Sequence, residues 1–275
     1  MFVIFSLLYN YTNHIVFCGN RTWQDSEIFD TNKTLNFAHR GFKQNAPENS
    51  IAAFEAAIEL GVDGIELDVR TCKTGEVVVF HDPILGRMTD GRGFVKNKSL
   101  SDLKKLRLKS PGKRLREPIP TLEETIELTK DRVILNIEIK TNGLPKNGLE
   151  QKVVDMIRIY GLEDKAIISS FNPLVIRRIR KINHRVLTGY LVDKNFTIRN
   201  SEIPLTKFSG AQAIHLEKSL VSDKLIKKIH NAGFRSVVWT VNEPEMMARF
   251  IKLGVNMIIT DAPDRLQNQS ESKPE

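Results

Sequence analysis

The chain has 275 residues, 41% hydrophobic and 27% charged, the proportions of a soluble globular protein of one large or two small domains rather than a fibrous or low-complexity chain. Forty-one basic against 33 acidic residues leave a formal charge of +8, which favours anionic partners such as phosphate substrates, nucleic acid or an anionic membrane face, although a solvated basic surface accounts for the charge alone. Two cysteines, Cys18 and Cys72, exclude a disulfide framework, and neither has a metal-ligating neighbour at Cys-x-x-Cys spacing.

Residues 1–34 read as an N-terminal extension of unclear role. The apolar run Phe2–Leu8 is too short to span a bilayer. No basic residue precedes it, as a signal peptide would require, and Phe17 beside Cys18 argues against a processed lipoprotein. The expected location is cytoplasmic, with weak membrane contact through this segment or export as alternatives.

From Leu35 the chain alternates apolar strands with amphipathic helices, the pattern of a parallel sheet with helical crossovers. Strands are expected near 36–40, 64–70 and 77–81 and over Val133–Lys140, Ala166–Phe171, Val186–Val192, Ala211–Glu217, Ser236–Asn242 and Met257–Asp261. The first helix starts at Asn49 or Ser50 and stops at Gly61, by capping and spacing. Further helices are expected over Thr121–Thr129, Gly148–Tyr160, Pro173–Ile182, Ser222–Ala232 and Pro244–Leu253.

These strands number nine, and only Cys72–Glu76 separates the second from the third. A parallel crossover needs about a dozen residues, so residues 64–82 form an antiparallel hairpin. A two-residue turn at Thr74-Gly75 would pair Lys73 with Glu76 and Asp68 with His81. Eight parallel strands remain, the number of a (β/α)₈ TIM barrel. Residues 83–120, rich in Gly and Pro, fit no barrel unit and read as a small insertion near the mouth. Its basic run is expected to be a solvated face. The polar tail 267–275 reads as disordered.

Barrel sites form at the C-terminal strand ends. His39 and Arg40 end the first strand, and Glu66 and Asp68 share a face of the second. Glu138 and Lys140 alternate with apolar neighbours, His81 follows the hairpin, Trp239 closes a later strand, and Thr260-Asp261 end the last. Glu66, Asp68 and Glu138 are hard oxygen ligands suited to Mg²⁺ or Ca²⁺ rather than zinc. Arg40 and Lys140 are placed to hold phosphate oxygens. His39 and His81 titrate near neutrality and can divide proton transfer between nucleophile and leaving alkoxide. Individually each has a structural alternative: Glu138–Lys140 as a buried ion pair, Trp239 as core, Asp261 as a helix cap.

Together the motifs HRG (39–41), PENS (47–50), ELDV (66–69), VVFHD (78–82), EIK (138–140), WTVN (239–242) and TDAPD (260–264) resemble the glycerophosphodiester phosphodiesterase family, over about 35–266. The resemblance implies a TIM barrel that hydrolyses glycerophosphodiesters to sn-glycerol 3-phosphate and an alcohol. It implies Glu66, Asp68 and Glu138 as ligands of one divalent cation, His39 and His81 as general acid and base, Arg40 and Lys140 as phosphate-binding residues, and Trp239 as a wall of the substrate pocket. The expected partner is a small glycerophosphodiester, not nucleic acid. A lysophospholipase D- or sphingomyelinase D-like phosphodiesterase and a non-catalytic polyanion-binding barrel are the competing readings.

Overall fold

The computed structural model describes residue 28 and residues 33–44, 46–110, 116–140, 148–194 and 201–271. Phe2–Leu8, Cys18 and residues 272–275, on which some of these expectations fall, lie outside the described residues.

Nine strands run in the order β1 (Leu35–His39), β2 (Gly64–Thr71), β3 (Val77–Val79), β4 (Ile134–Ile139), β5 (Ala166–Ser170), β6 (Leu187–Val192), β7 (Ala213–Glu217), β8 (Arg235–Trp239) and β9 (Met257–Thr260). Eight of them pair in parallel, and the β1–β2 and β1–β9 pairings close the cylinder, while β3 pairs only with β2 and antiparallel. This is the expected (β/α)₈ barrel carrying one hairpin.

Alternation along each strand builds two cores. Ile65, Leu67, Val69, Leu135, Ile137 and Ile139 face outward and pack under the helices. Phe37, Ile167, Leu187, Ala213, Val237 and Met257 fill the barrel interior. Helix starts follow local capping chemistry. Ser50 Oγ accepts from Ala53 N, Thr121 and Glu124 form a capping box, and Asn172 accepts from Leu174 N ahead of Pro173.

The hairpin register differs from expectation by one residue. Val69 pairs with Val79 and Thr71 with Val77, and Phe80 N, not His81, donates to Asp68 O at 2.8 Å. The loop contains three residues, Lys73-Thr74-Gly75, because Gly75 takes φ +100°, a conformation that closes a longer loop at little steric cost. His81 therefore reaches the barrel mouth from beyond the strand, where its carbonyl accepts from Arg70 Nε at 2.9 Å and Nη2 at 2.7 Å.

The insertion has its own small core of Leu85, Val95, Leu103, Leu108 and Ile119 against Val78 and Phe80 of the hairpin. Two helices depart from expectation. Glu202–Ser209 is helical, and Pro263–Glu271 continues into the segment read as a disordered tail. Among the described residues no helix is long and apolar enough to cross a membrane.

Candidate active site

Seven of the eight expected site residues (His39, Arg40, Glu66, His81, Glu138, Lys140 and Trp239) line one cavity of about 240 Å³ at the C-terminal ends of the strands. Asp68, the eighth, is fully buried beside it. The sequence separates these groups by up to 200 residues, and only barrel closure brings them together.

Glu66, Asp68 and Glu138 each present a carboxylate oxygen, and the three oxygens lie within 4.8 Å of one another. Burial pushes the Glu66 carboxyl well above the usual carboxylate range, and repulsion from Asp68 and Glu138 adds to it. Burial likewise raises Glu138, against the pull of Lys140. For Asp68 burial acts in the same direction, but Lys140 and Arg40 outweigh it and hold the carboxyl well below its ordinary value. The ion pairs are short: Lys140 Nζ lies 3.1 Å from Asp68 Oδ1 and 2.5 Å from Glu138 Oε1, and Arg40 Nε lies 3.1 Å from Asp68 Oδ2. Two cations therefore face three carboxylates, which leaves one negative charge in excess. Buried, all-oxygen and short of positive charge, the cluster fits a hard divalent cation.

Each histidine is gripped at Nδ1. His39 Nδ1 lies 2.6 Å from Asp261 Oδ1, and His81 Nδ1 lies 2.6 Å from Asp82 Oδ1. An ionised carboxylate only accepts, so each Nδ1 carries the proton and Nε2 is left for the cavity. Asp261 is ionised well below its usual value: burial works against that, and His39 and Lys43 prevail. Burial lowers both imidazoles from 6.5, while the hydrogen bonds to Asp261 and Asp82 act in the opposite direction and favour the protonated ring, so a neutral ring that takes a proton and a protonated ring that gives one are both accessible.

Several supporting residues escaped the sequence reading. Asp261, on the rim and by residue type also a possible helix cap, is the His39 partner. Asp82 holds His81. Glu48 takes Arg40 Nη1 at 3.0 Å and Arg87 Nη2 at 2.6 Å, and Arg87 also pairs with Asp82. Asn49, read as a possible cap, instead donates to Asp68 Oδ2 at 2.8 Å and accepts from Asp68 N at 3.2 Å. The signal was the PENS motif itself, whose Glu and Asn are more than helix punctuation.

Trp239 forms one wall, edge-on to Phe171 with centroids 5.6 Å apart, and its Nε1 donates to His215 O at 3.0 Å. The cavity floor is polar. Asn136 and Ser169 line it, each is 1% exposed, and among the described residues Asn136 Oδ1, Asn136 Nδ2 and Ser169 Oγ have no hydrogen-bond partner. His215 is also buried, and among the described residues both its ring nitrogens are unpartnered. It fits because its neighbour is Gly189, where an added Cβ would lie 2.1 Å from His215 Nε2. Burial pushes the His215 imidazole down to about 3.

A closed parallel barrel with acid, base and imidazole groups on its C-terminal rim is the architecture of a barrel enzyme. The model of the glycerophosphoryl diester phosphodiesterase family matches residues 39–265, and the chain belongs to that family of phosphoric diester hydrolases. It is 40% identical over 239 residues to a glycerophosphodiester phosphodiesterase of Caldanaerobacter subterraneus subsp. tengcongensis, covering 86% of this chain and 97% of that protein. Among solved structures it resembles an Oleispira antarctica phosphodiesterase in complex with the product sn-glycerol-3-phosphate, with TM-score 0.75 and 26% identity over 87% of this chain and 98% of the other. It also resembles a Thermotoga maritima glycerophosphodiester phosphodiesterase, with TM-score 0.69 and 26% identity over 86% and 97% of the two chains.

Proposed function

We propose that this enzyme hydrolyses glycerophosphodiesters to sn-glycerol 3-phosphate and an alcohol, with a divalent cation, Mg²⁺ or Ca²⁺, held by Glu66, Asp68 and Glu138. The observation that carries the reading is the pair of histidines on one rim, each fixed at Nδ1 by a carboxylate, beside the buried acid trio. The sn-glycerol-3-phosphate in the Oleispira antarctica relative supports the substrate class.

Arg40 and Lys140 meet the phosphodiester oxygens, and the bound cation supplies further stabilisation of charge at phosphorus. The imidazole of His39 or His81 takes a proton from the attacking hydroxyl, of water or of the neighbouring glycerol, as the new oxygen–phosphorus bond forms. The other imidazole, protonated, gives its proton to the departing alkoxide as the old phosphorus–oxygen bond breaks. Asp261 and Asp82 keep each ring in the tautomer this exchange requires. The unpartnered atoms of Asn136 and Ser169 receive the glycerol hydroxyls, because buried polar groups left unpaired are costly and these face the cavity. Trp239 and Phe171 cover the apolar edge.

The test is release of sn-glycerol 3-phosphate from glycerophosphocholine and glycerophosphoethanolamine. His39→Ala and His81→Ala are each expected to abolish it with the fold retained, and near-wild-type release by either variant removes the acid–base assignment. Turnover restricted to substrates that keep an acyl chain would transfer the enzyme to the lysophospholipase D-like reading.

A further inference from the structure

The positive charge of the chain is concentrated in one place. Residues 83–120 contain eleven basic residues against three acidic ones (Asp90, Asp102 and Glu117), a surplus of eight that equals the +8 of the whole chain. The remaining residues balance at thirty of each sign. Nine of the eleven lie among the described residues.

The same segment exposes apolar surface. Ile84 and Phe94 are 49% and 43% exposed, while their chain neighbours Leu85 and Val95 are buried in the insertion core. Ile84 and Phe94 face each other across an isolated antiparallel bridge, fixed by the Leu85 N to Gly93 O and Val95 N to Pro83 O hydrogen bonds at 2.9 and 3.0 Å. The pair is thus held outward by the backbone that turns its neighbours in. The Lys96 ammonium sits 5.9 Å from the Phe94 ring centroid. Arg92 and Lys96 are exposed, and among the described residues neither makes an ion pair. Ile84 is two residues from Asp82, which holds His81 at the mouth.

We propose that this face docks the enzyme reversibly on an anionic lipid bilayer, with Ile84 and Phe94 entering the headgroup layer and Arg92 and Lys96 meeting lipid phosphates. Apolar side chains ringed by Lys and Arg match the two attractions an anionic interface offers, and neither alone anchors a protein stably. A protein partner fits less well, since two side chains fall far short of a stable interface of about 800 Å² per partner. Nucleic acid would use the charge but gain nothing from Ile84, which has no ring on which a base could stack. The proposal does not rest on the catalytic reading.

The experiment is flotation of the full chain with phosphatidylcholine vesicles and with vesicles that also contain phosphatidylglycerol, at low and high salt. Two double variants accompany it, Ile84→Ser with Phe94→Ser, and Arg92→Gln with Lys96→Gln, each checked for an unchanged melting temperature and unchanged turnover of a soluble substrate. The wild type is expected to float only with anionic vesicles, and less at high salt. Each double variant is expected to lose about tenfold or more in apparent affinity. Equal partition of the wild type onto both vesicle types, or none onto either, overturns the proposal. So does undiminished binding by both variants, which would assign attachment to another segment, and so does displacement from vesicles by a single-stranded oligonucleotide bound more tightly.

Discussion

Asp261 Oδ1 lies 2.6 Å from His39 Nδ1, joining residues 222 positions apart in the chain. The contact spans the seam where β1 meets β9, so closing the barrel and orienting the imidazole are one event. Asp261→Asn keeps the shape and removes the charge that fixes the Nδ1 proton. Turnover is expected to fall by about 100-fold or more, with KM and melting temperature nearly unchanged, because the lost interaction belongs to the transition state. Steady-state kinetics on glycerophosphocholine decide it, and a rise in KM at constant kcat would speak against a positioning role.

The Glu66 carboxyl is raised well above the usual carboxylate range by burial and by Asp68 and Glu138. A folded-state value above the unfolded one means the ionised side chain costs stability, and the cost grows as pH rises through the carboxylate range. In chelator-treated protein near pH ~7, Glu66→Gln is therefore expected to raise the melting temperature. Added Mg²⁺ or Ca²⁺ should raise that of the wild type, through binding to the native state alone, and leave the variant unmoved. A variant that still responds to the cation would exclude Glu66 as a ligand.

His215 yields a pH prediction away from the site. Its folded value is about 3 against 6.5, so the unfolded chain binds the extra proton between them. The contribution to stability is full above the unfolded value and is lost as pH falls toward the folded one, by up to about 1.4 kcal/mol per pH unit. Urea unfolding of wild type and His215→Leu over this range checks it, and the variant should show the shallower acid slope. Parallel slopes would mean that His215 is hydrated or protonated in the native protein.

The polar floor is expected to separate substrates. Asn136→Leu and Ser169→Ala are each expected to lower kcat/KM for glycerophosphocholine by about tenfold or more, since a site built to pair hydroxyls discriminates strongly. Both should leave bis(4-nitrophenyl) phosphate, which lacks glycerol hydroxyls, nearly unaffected. Equal losses on both substrates would show that the floor shapes the phosphate site and not the glycerol site.

Much of this was legible in the sequence, for physical reasons. Period-two strands with polar residues at their C-terminal ends predict both the barrel and a rim, and the short Cys72–Glu76 connection excludes a parallel crossover. The hairpin register was missed because Gly75 admits a three-residue loop as readily as a two-residue one. The helix Glu202–Ser209 has Pro204 in its first turn and no side-chain cap, so its signal is weak, although proline is tolerated there. Asn49 and Ser50 were equivalent as caps on residue type. The structure separates them, because Asn49 adopts φ +56° and turns its amide to Asp68. Asp261, Asp82 and Glu48 were visible as residues but not as partners, since each acts through a group that only the fold brings near.

On the proposed mechanism the acid trio and the paired histidines act together on a glycerophosphodiester. The most direct test is the rate of sn-glycerol 3-phosphate release from glycerophosphocholine by chelator-treated protein, before and after Mg²⁺ or Ca²⁺ is restored. Negligible release without the cation and recovery with it are expected in the wild type, with no recovery in Glu138→Gln. Release that is undiminished by the chelator, or absent from folded protein with either cation present, would contradict that mechanism.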